Sequence, residues 1–127
     1  MGMDIQKAAD ALYEAENGAY QISMISQDNP DMTIDDAYAI QLKNIDRRLA
    51  DGEKLVGMKI GLTSKAMQQL LGVDVPDYGH LTDRMLLLEG QPCPTSELIQ
   101  PKVEGELAFC LKKSLKGPGL TIADVYN

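Results

Sequence analysis

Tryptophan is absent from the chain, and phenylalanine and histidine occur once each. Tyrosine supplies five of the six aromatic residues, so no row of planar side chains offers bases a stacking platform. Basic residues are also few: 12 Lys and Arg against 19 Asp and Glu leave a net charge of -7. Binding to a phosphate backbone needs a basic face, which excludes nucleic acid as an expected partner. No apolar run approaches the ~18 residues of a membrane span. Met1 to Lys7 lacks the apolar stretch of a secretory signal, and Gln6 stands where a myristoylation signal at Gly2 requires Ser or Thr. Cys93 and Cys110 are not at metal-binding spacing. They read as buried or half-buried thiols in a reduced cytoplasm, with a disulfide left open by the spacing. The lone His80 has no Cys or His companion for zinc, and its ordinary reading is a structural or solvated side chain beside a turn. Walker loop, Gly-x-Ser-x-Gly elbow and dinucleotide fingerprint are all missing.

What is present fits one domain: 127 residues can enclose a modest core. The first third is helical by pattern. Ile5, Ala8, Ala9, Leu12 and Ala15 recur at helical spacing up to a stop at Asn17-Gly18. After a loop over 26–31, Thr33-Ile34-Asp35-Asp36 forms a capping box with Asp in place of Glu. The helix it opens carries Ile34, Ala37, Tyr38, Leu42, Ile45 and Leu49 as its apolar stripe, and Arg47 and Arg48 suit its last turn. From Lys54 to Leu62 the period changes to two. Val56, Met58, Ile60 and Leu62 take one face; Leu55, Gly57, Lys59 and Gly61 take the other. A short helix capped by Thr63 or Ser64 runs to Gly72, and 73–79 reads as a loop around Pro76 and Gly79. Met85 to Leu88 reads as a short buried strand, and Val103 to Lys112 as another. Thr121-Ile122-Ala123-Asp124 is a second capping box, announcing a helix with almost no residues after it, so the chain reads as cut.

The chemistry concentrates late. In a strand, Glu104 and Glu106 project to one face, with Val103, Leu107, Phe109 and Leu111 turned to a core. Two carboxylates about 7 Å apart along the strand can converge on one hard divalent cation, although paired acids on a solvated strand face are equally ordinary. Lys59 sits between glycines, where it is either a solvated lysine or a group that reaches an anionic substrate. Asp77, in Pro76-Asp77-Tyr78-Gly79, is either a turn residue or part of the same site.

Five segments occur in order: Thr33-Ile34-Asp35-Asp36-Ala37-Tyr38; Gly57 through Met67; Pro76-Asp77-Tyr78-Gly79; Pro101 through Phe109; and Leu115-Lys116-Gly117-Pro118-Gly119. Together they resemble the 2-keto-4-pentenoate (2-hydroxypenta-2,4-dienoate) hydratase family of the fumarylacetoacetate hydrolase-like superfamily, over essentially the whole chain. The resemblance implies an α+β fold: a helical N-terminal portion (1–53) followed by the first strands of a mixed β-roll (54–127), C-terminally truncated. It implies Mg²⁺ or Mn²⁺ on Glu104 and Glu106, with a third acid beyond Asn127, and Lys59 and Asp77 as polar active-site residues. The implied reaction is metal-dependent hydration of a 2-hydroxydienoate in the meta-cleavage breakdown of aromatic compounds. There Lys59 stabilises negative charge, or donates a proton if its pKa is depressed, and Asp77 orients Lys59 or assists water. Lys65-Ala66-Met67, Tyr78-Gly79-His80-Leu81 and Glu104-Gly105-Glu106 resemble the hydratase branch more than 4-oxalocrotonate decarboxylases. 2-Oxohept-3-enedioate hydratase is a further branch with the same ligands. Family analogy implies a cytoplasmic homo-oligomer. The competing expectation is an inactive fragment serving as an oligomerisation or partner-binding module.

Overall fold

The structure, a computed structural model, describes residues 3–126; Gly2 and Asn127 lie outside it. Helix α1 (Ile5–Asn17) starts where the Asp4 carboxylate accepts from the Lys7 amide at 3.0 Å, satisfying one of the free donors of the first turn. Gly18 ends it. The stretch expected to be only loop contains one helical turn, α2 (Ile25–Asp28). Helix α3 (Ile34–Ala50) opens with the expected reciprocal box: Thr33 Oγ1 accepts from the Asp36 amide, and Asp36 accepts from the Thr33 amide.

Helices α1 and α3 pack together, and Ala8, Ala9 and Ile40 form the buried cluster between them. Small alanines on α1 let the helices approach closely, and Asn44 Nδ2 donates to the Ala9 carbonyl at 2.9 Å. The expected stripe on α3 is only partly the buried one. Ile40 and Ile45 are buried, whereas Ile34, Leu42 and Leu49 are exposed. At the C-terminal end of this pair, Glu53 is buried and accepts from Arg48 at 3.1 Å, while the other guanidinium nitrogen of Arg48 meets Glu16 at 2.6 Å.

Strand β1 (Leu55–Gly61), helix α4 (Lys65–Leu71) and strand β2 (Asp77–Thr82) follow, and β1 pairs with β2 antiparallel. Residues 77–79, expected in a loop, are therefore strand; Pro76 and Gly79 did not interrupt it, because Pro76 stands just before its first residue. Lys54 and Asp83 close the open end: the Lys54 amide donates to Asp83 Oδ1, and the Asp83 amide to the Lys54 carbonyl, each at 2.9 Å. The hairpin is fastened to α3. Tyr38 and Tyr78 stack at 4.4 Å, the Tyr78 amide donates to Tyr38 Oη, and Gln41 Nε2 donates to the Tyr78 carbonyl.

Beyond Thr82 the expected strands do not form. Asp83–Met85 and Thr95–Glu97 are single 3₁₀ turns, and Leu86, Leu87 and Leu88 are exposed instead of buried in a strand. Residues 101–111 carry no ladder, and Val103, Leu107, Phe109 and Leu111 face solvent, not a core. Alternation supplied the pattern of a strand, but a strand needs a hydrogen-bonded neighbour, and none of the described residues provides one. Cys93 and Cys110, expected to be buried or half-buried, are exposed and free for the same reason: no sheet covers their segments. Thr121 accepts the expected second box in part, its amide and hydroxyl both donating to Asp124 Oδ2, ahead of helix α5 (Ile122–Tyr126).

Candidate active site

Directly opposite residues in an antiparallel pair project to the same side. Lys59 faces Gly79 and Asp77 faces Gly61, so this side of the hairpin presents two charged groups, each paired with a residue that has no side chain. The result is a depression between Lys59 and Asp77. Gly61 is required for it: a Cβ there would lie 2.2 Å from Asp77 Oδ1.

Strand β1 ends in a sharp reversal at Leu62, whose φ of 54° is a left-handed conformation that costs a branched side chain energy. Gln68, only 3% exposed, holds that reversal by donating to the Leu62 carbonyl at 2.7 Å, and its own oxygen accepts from Lys65 Nζ at 2.9 Å. The reversal delivers Thr63 and Ser64 to the edge of the depression. The Ser64 hydroxyl accepts from the Met67 amide and caps α4, which ends at Gly72 in the left-handed conformation.

Glu104 and Glu106, from the stretch 101–111 that carries no ladder, complete the site. A pocket of about 400 Å³ is lined by Lys59, Gly61, Leu62, Thr63, Ser64, Met67, Asp77, Glu104 and Glu106. All four residues singled out from the sequence are thus brought together, from three separate stretches of chain. Lys59 Nζ donates to Glu106 Oε1 at 2.5 Å across 47 positions of sequence. The pair is half exposed, 48% and 57% by side chain. Gly61, Thr63, Ser64 and Met67 were not picked out as site residues. For Gly61 and Ser64, the signals were their places opposite Asp77 and at a helix cap.

Three carboxylates facing one ammonium leave the pocket with an excess of negative charge. The Lys59 ammonium is held well in its charged form: the hydrogen bond to Glu106 chiefly, with the charges of Glu106, Glu104 and Asp77 adding to it, raises its pKa against a smaller effect of desolvation. A depressed lysine pKa, one route considered for proton donation, is not what this surrounding produces. The donor chemistry fits a hard divalent cation, since carboxylate and hydroxyl oxygens are its preferred partners, and the ammonium already shows positive charge drawn to Glu106. Among the described residues, however, no three His, Cys, Asp or Glu side chains close on a common point. His80 is on the opposite side of the hairpin, half-buried, with Nδ1 at 2.8 Å from Gln41 Oε1. Because Gln41 Nε2 donates to the Tyr78 carbonyl, its Oε1 accepts from His80 Nδ1, which ties the imidazole to α3.

No family profile matches the chain. Individual relatives do. A 2-hydroxypent-2,4-dienoate hydratase of Pseudomonas putida is 49% identical over 122 residues, covering 95% of this chain and 55% of the relative. The 2-keto-4-pentenoate hydratase of Paraburkholderia xenovorans (strain LB400) is 47% identical over 110 residues, covering 87% of this chain and 41% of the relative. The chain is a homologue of the 2-keto-4-pentenoate hydratases. It spans about half the length of the curated relatives it matches. Among solved structures, a 4-oxalocrotonate decarboxylase from Pseudomonas putida G7, complexed with magnesium and adipate, aligns with a TM-score of 0.61 at 39% identity, over 63% of this chain and 30% of that one. The hydratase kinship therefore extends to a related decarboxylase, and the fold shared with it is a mixture of helices with a small antiparallel sheet. No helix among the described residues is long and apolar enough to cross a membrane.

Proposed function

We propose that this chain carries the metal-binding half of a hydro-lyase site that adds water to a 2-hydroxydienoate, as in conversion of 2-hydroxypenta-2,4-dienoate to 4-hydroxy-2-oxopentanoate. The observation that supports the reading is that Lys59, Asp77, Glu104 and Glu106 all line one pocket. Glu104 and Glu106 are assigned to Mg²⁺ or Mn²⁺, which when bound supplies Lewis acidity to the substrate's C1 carboxylate and C2 oxygen. Lys59, kept charged, binds the developing negative charge of the dienolate. The enol proton leaves O2 and C5 gains one, giving an α,β-unsaturated 2-oxo acid; water then delivers OH to C4 and H to C3. Asp77, across the pocket from Lys59, is assigned to orient the water or to take its proton. With its ammonium held charged, Lys59 has no lone pair to take water's proton, so that role falls to Asp77.

The hydratase branch is preferred over decarboxylation because a hydratase relative is 49% identical over 95% of this chain, against 42% over 92% for a 4-oxalocrotonate decarboxylase. The reading includes a helical portion at 1–53, a β-roll begun at 54–127, a homo-oligomer and a cytoplasmic setting. Loss of dienoate absorbance on adding the chain with Mg²⁺ or Mn²⁺ is the test. Turnover that disappears in Glu104→Gln and Glu106→Gln supports the hydratase. Release of CO₂ from 4-oxalocrotonate in place of dienoate loss would transfer the site to the decarboxylase branch, and a folded chain without turnover would favour a non-catalytic module.

A further inference from the structure

The start of helix α4 forms one wall of the pocket, yet apolar burial does not hold the helix there. Met67, Leu70 and Leu71 are exposed, and Gln68 is the one buried residue of the helix. A glutamine is a costly anchor unless both ends of its amide find partners. Here both do. Its Nε2 donates to the Leu62 carbonyl, its Oε1 accepts from Lys65 Nζ, and its backbone carbonyl accepts from the Val73 amide at 2.9 Å. The Lys65 ammonium can only donate, so it fixes which end of the amide faces Leu62. The side chain therefore straps the helix back onto the left-handed residue that follows β1.

What hangs from that strap is part of the site. Leu62, Thr63, Ser64 and Met67 line the pocket, and Gln68 itself does not. Lys59 and Asp77 are held independently by the ladder between β1 and β2, and Glu104 and Glu106 come from another stretch. Without its donor, the part-buried Leu62 carbonyl would turn toward water, and the left-handed conformation, unfavourable for leucine, would relax. We propose that Gln68 is a positioning residue: it touches no reactant, but it sets the wall from Leu62 to Met67 against which a dienoate is aligned with Lys59 and Asp77. The assignment rests on the hydratase reading.

Gln68→Glu keeps the shape and the contact with Lys65 but loses the donor, and Gln68→Met loses the donor without burying a charge. In dienoate turnover with Mg²⁺, kcat of each should fall about 10²-fold, the loss that a misplacement of about 1 Å brings, with KM within about threefold of wild type. Mn²⁺ binding, followed by electron paramagnetic resonance, should stay within about twofold, because the assigned ligands are held elsewhere. Leu62→Gly makes the reversal without strain, so in that background the kcat loss from Gln68→Met should shrink at least about tenfold. A generally loosened fold would not show that coupling. Full kcat in both Gln68 variants, Mn²⁺ binding lost in step with turnover, or an undiminished penalty beside Leu62→Gly would each overturn the proposal and leave the hydratase reading standing. A wild-type chain without turnover would instead sink that reading, and this assignment with it.

Discussion

Replacing Gly61 by alanine separates the shape of the site from the stability of the fold. The new Cβ would sit 2.2 Å from Asp77 Oδ1 and 3.3 Å from its Cγ, and ordinary contact begins at 3.4 Å, so the oxygen must retreat by about 1.2 Å. Asp77 is exposed, and its carboxylate can swing toward water without disturbing the strand. Alanine for glycine in a strand contributes about 0.5–1 kcal/mol through lower unfolded-state entropy. A strained side-chain rotamer costs about 0.5–1.5 kcal/mol. The two nearly cancel, so the melting temperature should move by no more than about 5 °C. A reactive group displaced by about 1 Å can lose about 10²-fold in rate, and dienoate turnover with Mg²⁺ should fall by that order. In an Asp77→Ala background the methyl meets no carboxylate, so the two lesions should be far from additive. A large drop in melting temperature, or a Gly61→Ala penalty that persists undiminished without Asp77, would refute the reasoning.

Glu106→Gln should weaken Mn²⁺ binding at least about tenfold, followed by the electron paramagnetic resonance of free Mn²⁺, because it removes one of two assigned ligands. Its melting temperature should barely change, since the ion pair it breaks is half exposed. Ile40→Ala, at a position only 2% exposed between α1 and α3, should cost about 2–5 kcal/mol in urea unfolding with helix signal as the probe. Thr33→Ala should cost about 1 kcal/mol by removing the α3 cap. The same cap sets an acid response: hydrogen bonds from the Thr33 side chain and then its backbone lower the Asp36 pKa. Unfolded Asp36 takes up its proton first on acidification, so the stabilisation is complete above the ordinary aspartate value of ~3.9 and is lost as pH falls through the lowered folded value. Circular dichroism of wild type against Thr33→Ala across pH 2–6 (a range of about four units) should show the difference shrinking toward the acid end.

The helices were legible because their signals are local. Spacing marked α1, and the Thr33–Asp36 box marked the first turn of α3 to the residue. Strand β1 was legible from its alternation, but β2 was not, since Pro76 and Gly79 read as punctuation and only pairing with β1 makes Asp77–Thr82 a strand. Val103 to Lys112 shows the converse: a correct local pattern without the long-range neighbour that would turn it into a ladder. Which residues gather in one pocket was more legible than the fold around them. Lys59, Asp77, Glu104 and Glu106 were all named from sequence, and the structure lines one pocket with them. What sequence could not supply is the charge balance there, because the Lys59–Glu106 hydrogen bond joins positions 47 residues apart. The apolar stripe of α3 was misplaced for a related reason: which of several isoleucines and leucines is buried depends on where α1 lies.

The reversal at Leu62 bears on how this sequence can drift. A left-handed leucine costs about 1–2 kcal/mol that glycine would not, so position 62 is one where substitution by glycine should be gained easily in a mutational library. Position 68 is the opposite. Gln68 satisfies the Leu62 carbonyl with one end of its amide and the Lys65 ammonium with the other, inside a closed environment. Neither glutamate, which cannot donate, nor leucine, which can do neither, replaces it. The residue furthest from looking chemical thus fixes the path of the chain from Lys59 to Ser64, and with it the number of routes by which the pocket can be altered one substitution at a time.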